Sequence, residues 1–381
     1  MTRQSNARPV NGDLVGVPGG ALRLTTPALW IDYPLLKSNL AAMMARCREA
    51  GLKLRPHGKT HKCTRLARAQ LDAGASGICC ATPHEAFAFL QEGIRGVLIT
   101  VPVVQQRHYQ MLAALHREGA DFSVVIDDPR SVSSWRAALG GASRTLPALV
   151  DVDIGMGRTG AGTIEATVGI ARELRDAREL DYAGVQAYSG RVQHIHDFEE
   201  RRRIYGEQLE KLRRTINVLK SAGLAPGIVS GGGTGTFAID ADSGVYTESQ
   251  AGSYLFMDVE YGLVKMFRGE RNPWATSLFL RTSVVSANVP GQVTLNAGFK
   301  CLATDGPRPE VCGEQFPGSR YEFFGDEYGR LVSGERTPAL GSSVDLITPH
   351  CDPTVNLHDW YHVIEGDSLV DIWPIDARGV L

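Results

Sequence analysis

Short apolar, β-prone runs recur along the first two thirds of the chain, and helical periodicity fills most of the gaps between them. In the first gap, for example, Leu36, Leu40, Met43 and Cys47 fall on one helical face. Strands separated by helices cannot form hairpins, because parallel strands need crossovers of a dozen or more residues. The eight runs cover residues 52–55, 77–80, 97–101, 122–126, 148–152, 182–187, 228–230 and 253–257.

The number of strand–helix units indicates the fold class. Eight units in about 240 residues match an α/β fold of the (β/α)8 TIM-barrel type. A doubly wound open sheet fits the same alternation, and periodicity alone does not exclude it. The count of eight and the polar residues that follow the strands favour the barrel, which we expect over residues 25–268.

After about residue 265 the pattern changes. β-prone runs at 282–289, 292–297, 321–324, 343–347 and 361–373 are separated by Gly, Pro and Asp turns rather than by helices. This predicts a mainly β C-terminal domain over residues 269–381. The strand-like N-terminal segment 20–32 fits either unit.

Composition excludes several classes of protein. The 381 residues are 43% hydrophobic and 22% charged, which is typical of a globular chain. Forty basic and 42 acidic residues give a net charge of −2, so we expect no nucleic-acid partner. Apolar runs are too short for a membrane span, and no secretory signal is evident. Seven cysteines at irregular spacing do not suggest a disulfide framework and indicate a cytoplasmic location.

A glycine-rich loop after the seventh predicted strand is the clearest chemical feature. Gly232, Gly233, Thr234 and Gly235 can expose backbone N–H groups and a hydroxyl, which suit a phosphate dianion. Barrels frequently bind phosphate after strands seven and eight. A plain turn is the alternative interpretation. The loop is not a Walker motif, because no lysine follows the glycines in register.

Lys59 lies in a basic run after the first predicted strand. Its neighbours Arg55, His57, His61 and Lys62 would disfavour its charged form, which makes it a candidate for a Schiff base. A solvated basic loop is the alternative. A phosphate loop on the same rim favours the first interpretation, because pyridoxal phosphate requires both a lysine and a phosphate pocket.

A third candidate site is the segment 349–353 in the second domain. In an extended segment alternate side chains share a face, so His350 and Asp352 can bind one divalent cation. The pair His350 and Cys351 would instead favour zinc, although adjacent positions fit one metal poorly.

In combination, these motifs resemble those of the D-threonine aldolase and D-serine dehydratase family, which are fold-type III pyridoxal phosphate enzymes related to alanine racemase. The resemblance extends over residues 26–379. Its motifs lie at 26–32, 55–62, 153–160, 186–188, 193–194, 230–235, 250–254 and 350–354.

The resemblance implies a role for each candidate residue. Lys59 matches the Schiff-base lysine, His194 the acid/base, and His350 with Asp352 the metal pair. The family's His-x-Asp pattern, in place of His-x-Cys, implies manganese or magnesium rather than zinc. Arg158, Tyr188, Gly232, Gly233, Thr234, Gly235 and Tyr254 match cofactor-binding positions. A homodimer is also implied.

The expected reaction is retro-aldol cleavage of a D-3-hydroxy-α-amino acid to glycine and an aldehyde. Two departures from the family pattern, Gly58 before the lysine and Asn296 in place of a common aspartate, leave the substrate open. A 3-hydroxyaspartate aldolase that yields glyoxylate, a D-serine or D-threo-3-hydroxyaspartate dehydratase, and a non-catalytic pyridoxal phosphate carrier are the alternatives.

Overall fold

The computed structural model describes residues 9–269, 271–313 and 315–379. The first elements are β1 (Ala28–Asp32), α1 (Tyr33–Glu49), β2 (Lys53–Leu54), α2 (Thr64–Asp72), β3 (Ile78–Cys80), α3 (Pro83–Gln91), β4 (Val97–Ile99), α4 (Gln106–Arg117), β5 (Phe122–Ile126), α5 (Pro129–Leu139), β6 (Leu146–Asp151), α6 (Ile164–Asp176), β7 (Leu180–Ala187), α7 (Phe198–Ser221), β8 (Ile228–Gly231), α8 (Phe237–Ser243) and β9 (Glu248–Ser249).

The later elements form the C-terminal part of the chain. They are α9 (Val259–Gly262), β10 (Leu278–Ser286), β11 (Gln292–Leu295), β12 (Glu310–Val311), β13 (Arg320–Phe323), β14 (Gly329–Val332), β15 (Ser343–Ile347), α10 (Cys351–Val355), β16 (Trp360–Glu365) and β17 (Ser368–Pro374). Short 3₁₀ helices at Gly12–Leu14, Gly20–Arg23, Gly58–Thr60, Thr234–Thr236 and Ser253–Leu255 complete the described secondary structure.

The strands β2 to β9 form the predicted barrel. All are parallel, in the order β2-β9-β8-β7-β6-β5-β4-β3. A parallel bridge between His57 and Cys79 joins the two ends of this sheet and closes it. Closure rules out the doubly wound open sheet and confirms the predicted fold class. The carboxyl ends of the strands therefore meet at one mouth.

The apolar face predicted for α1 is buried, as its helical periodicity indicates. Leu36, Leu40, Met43 and Cys47 are all buried against the barrel. Asp32 begins this helix by accepting a hydrogen bond from the N–H of Leu35 at 3.0 Å. Burial of this face stabilises the helix more than its intrinsic propensity does.

The position predicted for the eighth barrel strand was wrong. The eighth barrel strand is β9, Glu248–Ser249, whereas the predicted run at 253–257 contains the 3₁₀ helix Ser253–Leu255. Tyr254, Leu255 and Phe256 in this run are almost completely buried. A segment that is buried on all sides shows no periodicity that could separate a strand from a helical turn.

The second sheet is mixed and includes the N-terminal strand. β1 pairs antiparallel with β10 and parallel with β16. The run predicted at 361–373 is a hairpin of β16 and β17 that turns at Gly366, whose φ is +64°. No helix within the described ranges combines the length and the apolar character of a membrane span.

Candidate functional site

The barrel mouth and the second domain meet at Lys59. Its Nζ lies 3.0 Å from Oδ2 of Asp352, and the two side chains are 39% and 13% exposed. The expected lowering of the Lys59 pKa by its basic neighbours was wrong, because the nearby carboxylate raises this pKa, chiefly through charge attraction. Burial alone would raise the pKa of Asp352, but Lys59 and His350 hold it well below its ordinary value. The structure thus brings the predicted lysine to the predicted metal pair.

The Lys59 segment is held by its neighbours in the mouth. His57 precedes the 3₁₀ helix and accepts a hydrogen bond at Nδ1 from the N–H of Lys59, at 3.4 Å. Its Nε2 lies 3.2 Å from Oγ1 of Thr100. Burial lowers the pKa of His57 to about 3, so the ring is neutral at physiological pH. A neutral His57 adds no charge to the site.

The His350 and Asp352 pair has a different backbone from the one expected. The segment is not extended, because α10 begins at Cys351 and His350 is its N-cap residue. Asp258 fixes this start by accepting a hydrogen bond from the N–H of Cys351 at 2.8 Å. Pro353 is compatible with a helix here because the first turn does not use its missing N–H. Cys351 is itself buried in the core.

Each of the two histidines of the site has a carboxylate beside its Nδ1. Nδ1 of His350 lies 2.9 Å from Oδ2 of Asp305. Nδ1 of His194 lies 3.3 Å from Oε1 of Glu260. The rings of His194 and His350 are 6.4 Å apart between centroids. Burial, followed by the charge of His350, lowers the pKa of His194 to about 4, so its imidazole is neutral at physiological pH.

Hydrogen bonds and close packing hold the glycine-rich loop in place. The N–H of Gly235 donates to Oε1 of Gln193 at 3.0 Å, and that of Gly233 donates to Oγ1 of Thr236 at 3.1 Å. A Cβ at position 235 would lie 2.1 Å from the backbone oxygen of Gln193. Glycine is required there by this close approach. Oγ1 of Thr234 accepts from the N–H of Tyr254 at 3.0 Å.

Arg158 and Tyr188 lie together on another side of the mouth. The guanidinium carbon of Arg158 is 5.5 Å from the centre of the Tyr188 ring. The loop just before Arg158 is held by Oδ1 of Asp153, which accepts hydrogen bonds from the N–H groups of Gly155, Met156 and Gly157. Both predicted side chains line a pocket with Asp151 and Gln186.

Tyr254 differs from the other predicted residues. Its backbone contacts the glycine-rich loop, but its side chain is fully buried. The hydroxyl accepts a hydrogen bond from Nε2 of Gln70 at 3.1 Å, and the ring lies 6.1 Å from that of Trp274. Only its backbone lies beside the predicted phosphate site.

The donors present fit a phosphate and an aldehyde cofactor. The loop at 232–235 follows β8 at the barrel mouth, and although the N–H groups of Gly233 and Gly235 are bonded to protein oxygens, the hydroxyl of Thr234 keeps its proton for a phosphate. Gly252 packs against the segment that carries the lysine, because a Cβ there would lie 2.6 Å from Oγ1 of Thr60. That buried hydroxyl oxygen has no hydrogen-bond partner in the structure.

The structure offers few protein ligands for a divalent cation. In residues 9–269, 271–313 and 315–379, no three His, Cys, Asp or Glu side chains form a metal-binding group. His350 and Asp352 would thus be two protein ligands of a cation, and water and substrate would supply the remaining ligands. Asp305 holds Nδ1 of His350 and leaves Nε2 for a metal, which is the usual outer-shell arrangement.

Sequence reasoning missed the carboxylates Glu260 and Asp305. Glu260 follows the last barrel strand, and the rule that site residues follow barrel strands could have indicated it. Asp305 lies in a loop of the second domain, 45 residues before His350. No local pattern identified it.

Family models cover most of the chain. The model described as "Alanine racemase, N-terminal domain" matches residues 31–260. The model described as "Putative serine dehydratase domain" matches residues 277–364. The first match covers the barrel and the second covers most of the mixed sheet.

Individual proteins are similar over nearly the whole length. A 3-hydroxy-D-aspartate aldolase of Paracoccus denitrificans (strain Pd 1222) is 35% identical over 97% of this chain and 96% of that protein. A D-threonine aldolase of Arthrobacter sp is 38% identical over 95% of each. The crystal structure of D-threonine aldolase from Filomicrobium marinum, 35% identical, superposes with a TM-score of 0.88 and covers 93% of this chain and 95% of that one.

Proposed function

Because the chain belongs to the D-threonine aldolase and D-serine dehydratase family, with the barrel domain of alanine racemase, we propose residue roles and a substrate class for its aldolase activity. The chain is an enzyme of the lyase class, and pyridoxal phosphate is the cofactor that its family implies. The substrate is a D-3-hydroxy-α-amino acid, which is cleaved between Cα and Cβ to glycine and an aldehyde.

The proposal depends above all on the distance of 3.0 Å between Nζ of Lys59 and Oδ2 of Asp352. It brings the amine that would hold the cofactor to the carboxylate that would hold the cation. A carrier protein would need the lysine and the phosphate loop but not His350, Asp352 or His194. Their convergence on Lys59 supports catalysis over carriage.

Each residue has a chemical task in this proposal. Lys59 anchors the cofactor covalently, the 232–235 loop binds its phosphate, and Arg158 with Tyr188 borders its ring. His350 and Asp352 hold the cation, which we propose to be manganese or magnesium because imidazole and carboxylate suit these metals. When bound, pyridoxal phosphate withdraws electrons from Cα, and the cation lowers the pKa of a coordinated hydroxyl.

His194 acts on the substrate hydroxyl. It is neutral, because burial and His350 lower its pKa to about 4, and it can accept the hydroxyl proton at Nε2. Removal of that proton turns the Cβ–O bond into a carbonyl as the Cα–Cβ bond breaks. We further propose a homodimer, as in the family, and a cytoplasmic location, which the seven free cysteines support.

Product analysis tests this function. The purified holoenzyme with Mn²⁺ is supplied with D-threonine or D-3-hydroxyaspartate, and glycine, acetaldehyde and glyoxylate are measured. We expect glycine together with one of the two aldehydes. Formation of a 2-oxo acid and ammonia as the main products would instead establish a dehydratase, and no conversion of either substrate would support the carrier.

The variant Asp352→Asn tests the metal role in the same assay. We expect it to lose turnover while it retains the bound cofactor, because the amide is a weaker cation ligand than the carboxylate. Asp345→Asn, which removes a carboxylate paired with Arg281 in the second sheet, is the matched control and should retain turnover. Equal turnover by the wild type with and without chelator, or equal turnover by wild type and Asp352→Asn with Mn²⁺ present, would contradict a metal role.

A further inference from the structure

His194 and His350 both direct Nδ1 toward carboxylates. Oδ2 of Asp305 lies 2.9 Å from Nδ1 of His350, and Oε2 of Glu260 lies 3.9 Å from the same atom. The other oxygen of Glu260, Oε1, lies 3.3 Å from Nδ1 of His194. One carboxylate thus faces two imidazoles with its two oxygens.

This arrangement determines which ring nitrogen carries the proton. An ionised carboxylate only accepts hydrogen bonds, so the nitrogen beside it must be N–H. Nδ1 of His194 is buried and has no well-formed hydrogen bond in the structure, which leaves Glu260 as its acidic neighbour. A lone pair at Nδ1 would face the lone pairs of Glu260 in a partly dehydrated setting. Both rings therefore favour the Nδ1–H tautomer.

The backbone around Glu260 is fixed relative to His350. Oδ1 of Asp258 accepts a hydrogen bond from the N–H of Tyr261, and Oδ2 accepts one from the N–H of Cys351, each at 2.8 Å. The N–H of Glu260 donates to the backbone oxygen of Pro349 at 3.2 Å. Asp258 therefore joins the starts of α9 and α10, which carry Glu260 and His350.

The helix α9 also contacts His194. The ring of Tyr261 in α9 lies 4.9 Å from the ring of His194. The carboxylate of Glu260 and the ring of Tyr261 are adjacent in sequence, so one helical turn contacts His194 through both. Movement of α9 would displace both imidazoles together.

We propose that Glu260 is a positioning residue that holds His194 as the Nδ1–H tautomer, as Asp305 does for His350, so that each imidazole works through Nε2. Nε2 of His194 then accepts the substrate proton, and Nε2 of His350 is left for the cation. This inference rests on the proposed function and deepens it. It assigns no chemical step to Glu260 itself.

A glutamine at position 260 cannot replace this role. Its amide presents one acceptor oxygen and one NH₂ donor, so at least one imidazole would face a donor. Asp305 still holds Nδ1–H on His350, so the ring that changes is His194, which is driven to the Nε2–H tautomer with its lone pair directed away from the reaction. The size of the side chain is unchanged, so Glu260→Gln separates hydrogen-bond polarity from packing.

The test is ¹⁵N NMR of histidine side chains in the holoenzyme with Mg²⁺, with signals assigned through His194→Asn and His350→Asn. We expect Nδ1–H for both rings in the wild type. In Glu260→Gln we expect His194 to change tautomer and kcat to fall about 10- to 100-fold, as for other outer-shell partners. KM should change much less, because the cation ligands His350 and Asp352 are unchanged.

Glu179→Gln is the matched control. Glu179 pairs with Arg136 just before β7, at the opposite end of the barrel, and should change neither spectrum nor rate. Nε2–H for either ring in the wild type would overturn the inference, even if Glu260→Gln did not fold. Unchanged tautomers and kcat in Glu260→Gln would also overturn it. Absence of aldol cleavage by the wild type would refute the proposed function, whereas the wild-type tautomers test the inference independently.

Discussion

The ammonium of Lys59 lies 3.0 Å from Oδ2 of Asp352, so the proposed anchor of the cofactor is paired with a proposed ligand of the metal. The two groups come from opposite domains of the chain, since Lys59 follows β2 and Asp352 lies in α10. The carboxylate that would hold a cation therefore also balances the charge at the lysine that would hold the cofactor. The two cofactor sites are thus electrostatically linked.

Lys59→Arg is predicted to abolish covalent binding of the cofactor without loss of the fold. Arginine keeps a positive charge beside Asp352, but its guanidinium is always protonated and cannot form an imine. We expect no visible absorbance from bound cofactor and no borohydride-fixed adduct. Lys62→Arg is the matched control, because Lys62 pairs with Glu85 at 3.1 Å and should leave both signals intact. A coloured, reducible Lys59→Arg protein would contradict the assignment.

Gly235→Ala is predicted to displace the glycine-rich loop and weaken cofactor binding. Its Cβ would lie 2.1 Å from the backbone oxygen of Gln193, and backbone cannot rotate away as a side chain can. Overpacking of this kind costs about 1–3 kcal/mol. Denaturant unfolding and titration with pyridoxal phosphate measure the two effects.

Gly162→Ala is the control for this loop variant. A Cβ at position 162 would meet no atom within 4 Å, and the residue does not require a left-handed backbone. We expect wild-type stability and cofactor affinity. Equal cofactor affinity in Gly235→Ala and Gly162→Ala would argue against the loop as the phosphate site.

Sequence patterns predicted the barrel because apolar runs alternate with helical periods, even where a strand such as β2 has only two residues. They misplaced the eighth strand, because Glu248–Ser249 is polar and forms no apolar run. They paired His350 with Asp352 through strand alternation, whereas the structure has a helix start capped at His350. Glu260 and Asp305 meet these histidines through tertiary contacts, which no local pattern encodes.

Asp240 is predicted to make stability depend on pH. Burial raises the pKa of this carboxyl from 3.8 to about 7, and Oγ1 of Thr236 donates a hydrogen bond to its Oδ2 at 2.7 Å. Between these two pH values the folded chain binds more protons than the unfolded chain. The contribution of Asp240 to stability is therefore full below pH 3.8 and is lost as the pH rises through about 7.

The variant Asp240→Asn isolates this dependence. The free energy of unfolding of the wild type, minus that of Asp240→Asn, should decrease from pH 5 to pH 8, by at most about 1.4 kcal/mol per pH unit. Asp242→Asn, at an exposed position two residues further on, should show no such slope. A difference that rises with pH would contradict the raised pKa.

Arg201→Met is predicted to destabilise the loop that carries His194. The buried guanidinium donates hydrogen bonds to the backbone oxygens of Ile195, His196 and Lys265, and so ties the loop after β7 to the segment after α9. Methionine fills much of the space but removes the donor to the oxygens of Ile195 and Lys265, at about 1–3 kcal/mol for each group left unpaired, whereas His196 still accepts from the N–H of Lys265 at 3.0 Å. We expect a loss of about 2–4 kcal/mol in the free energy of unfolding. Faster amide hydrogen exchange should appear at residues 194–197.

The neighbouring Arg202 provides the comparison for Arg201. It is 55% exposed and pairs with Glu199 at 3.5 Å, so Arg202→Met should change stability by less than about 0.5 kcal/mol. If Arg201 acts on catalysis only by fixing the loop, Arg201→Met should lower kcat in proportion to the increase in hydrogen exchange at 194–197. A large loss of stability with exchange unchanged at these residues would show that Arg201 supports the core as a whole rather than the position of His194.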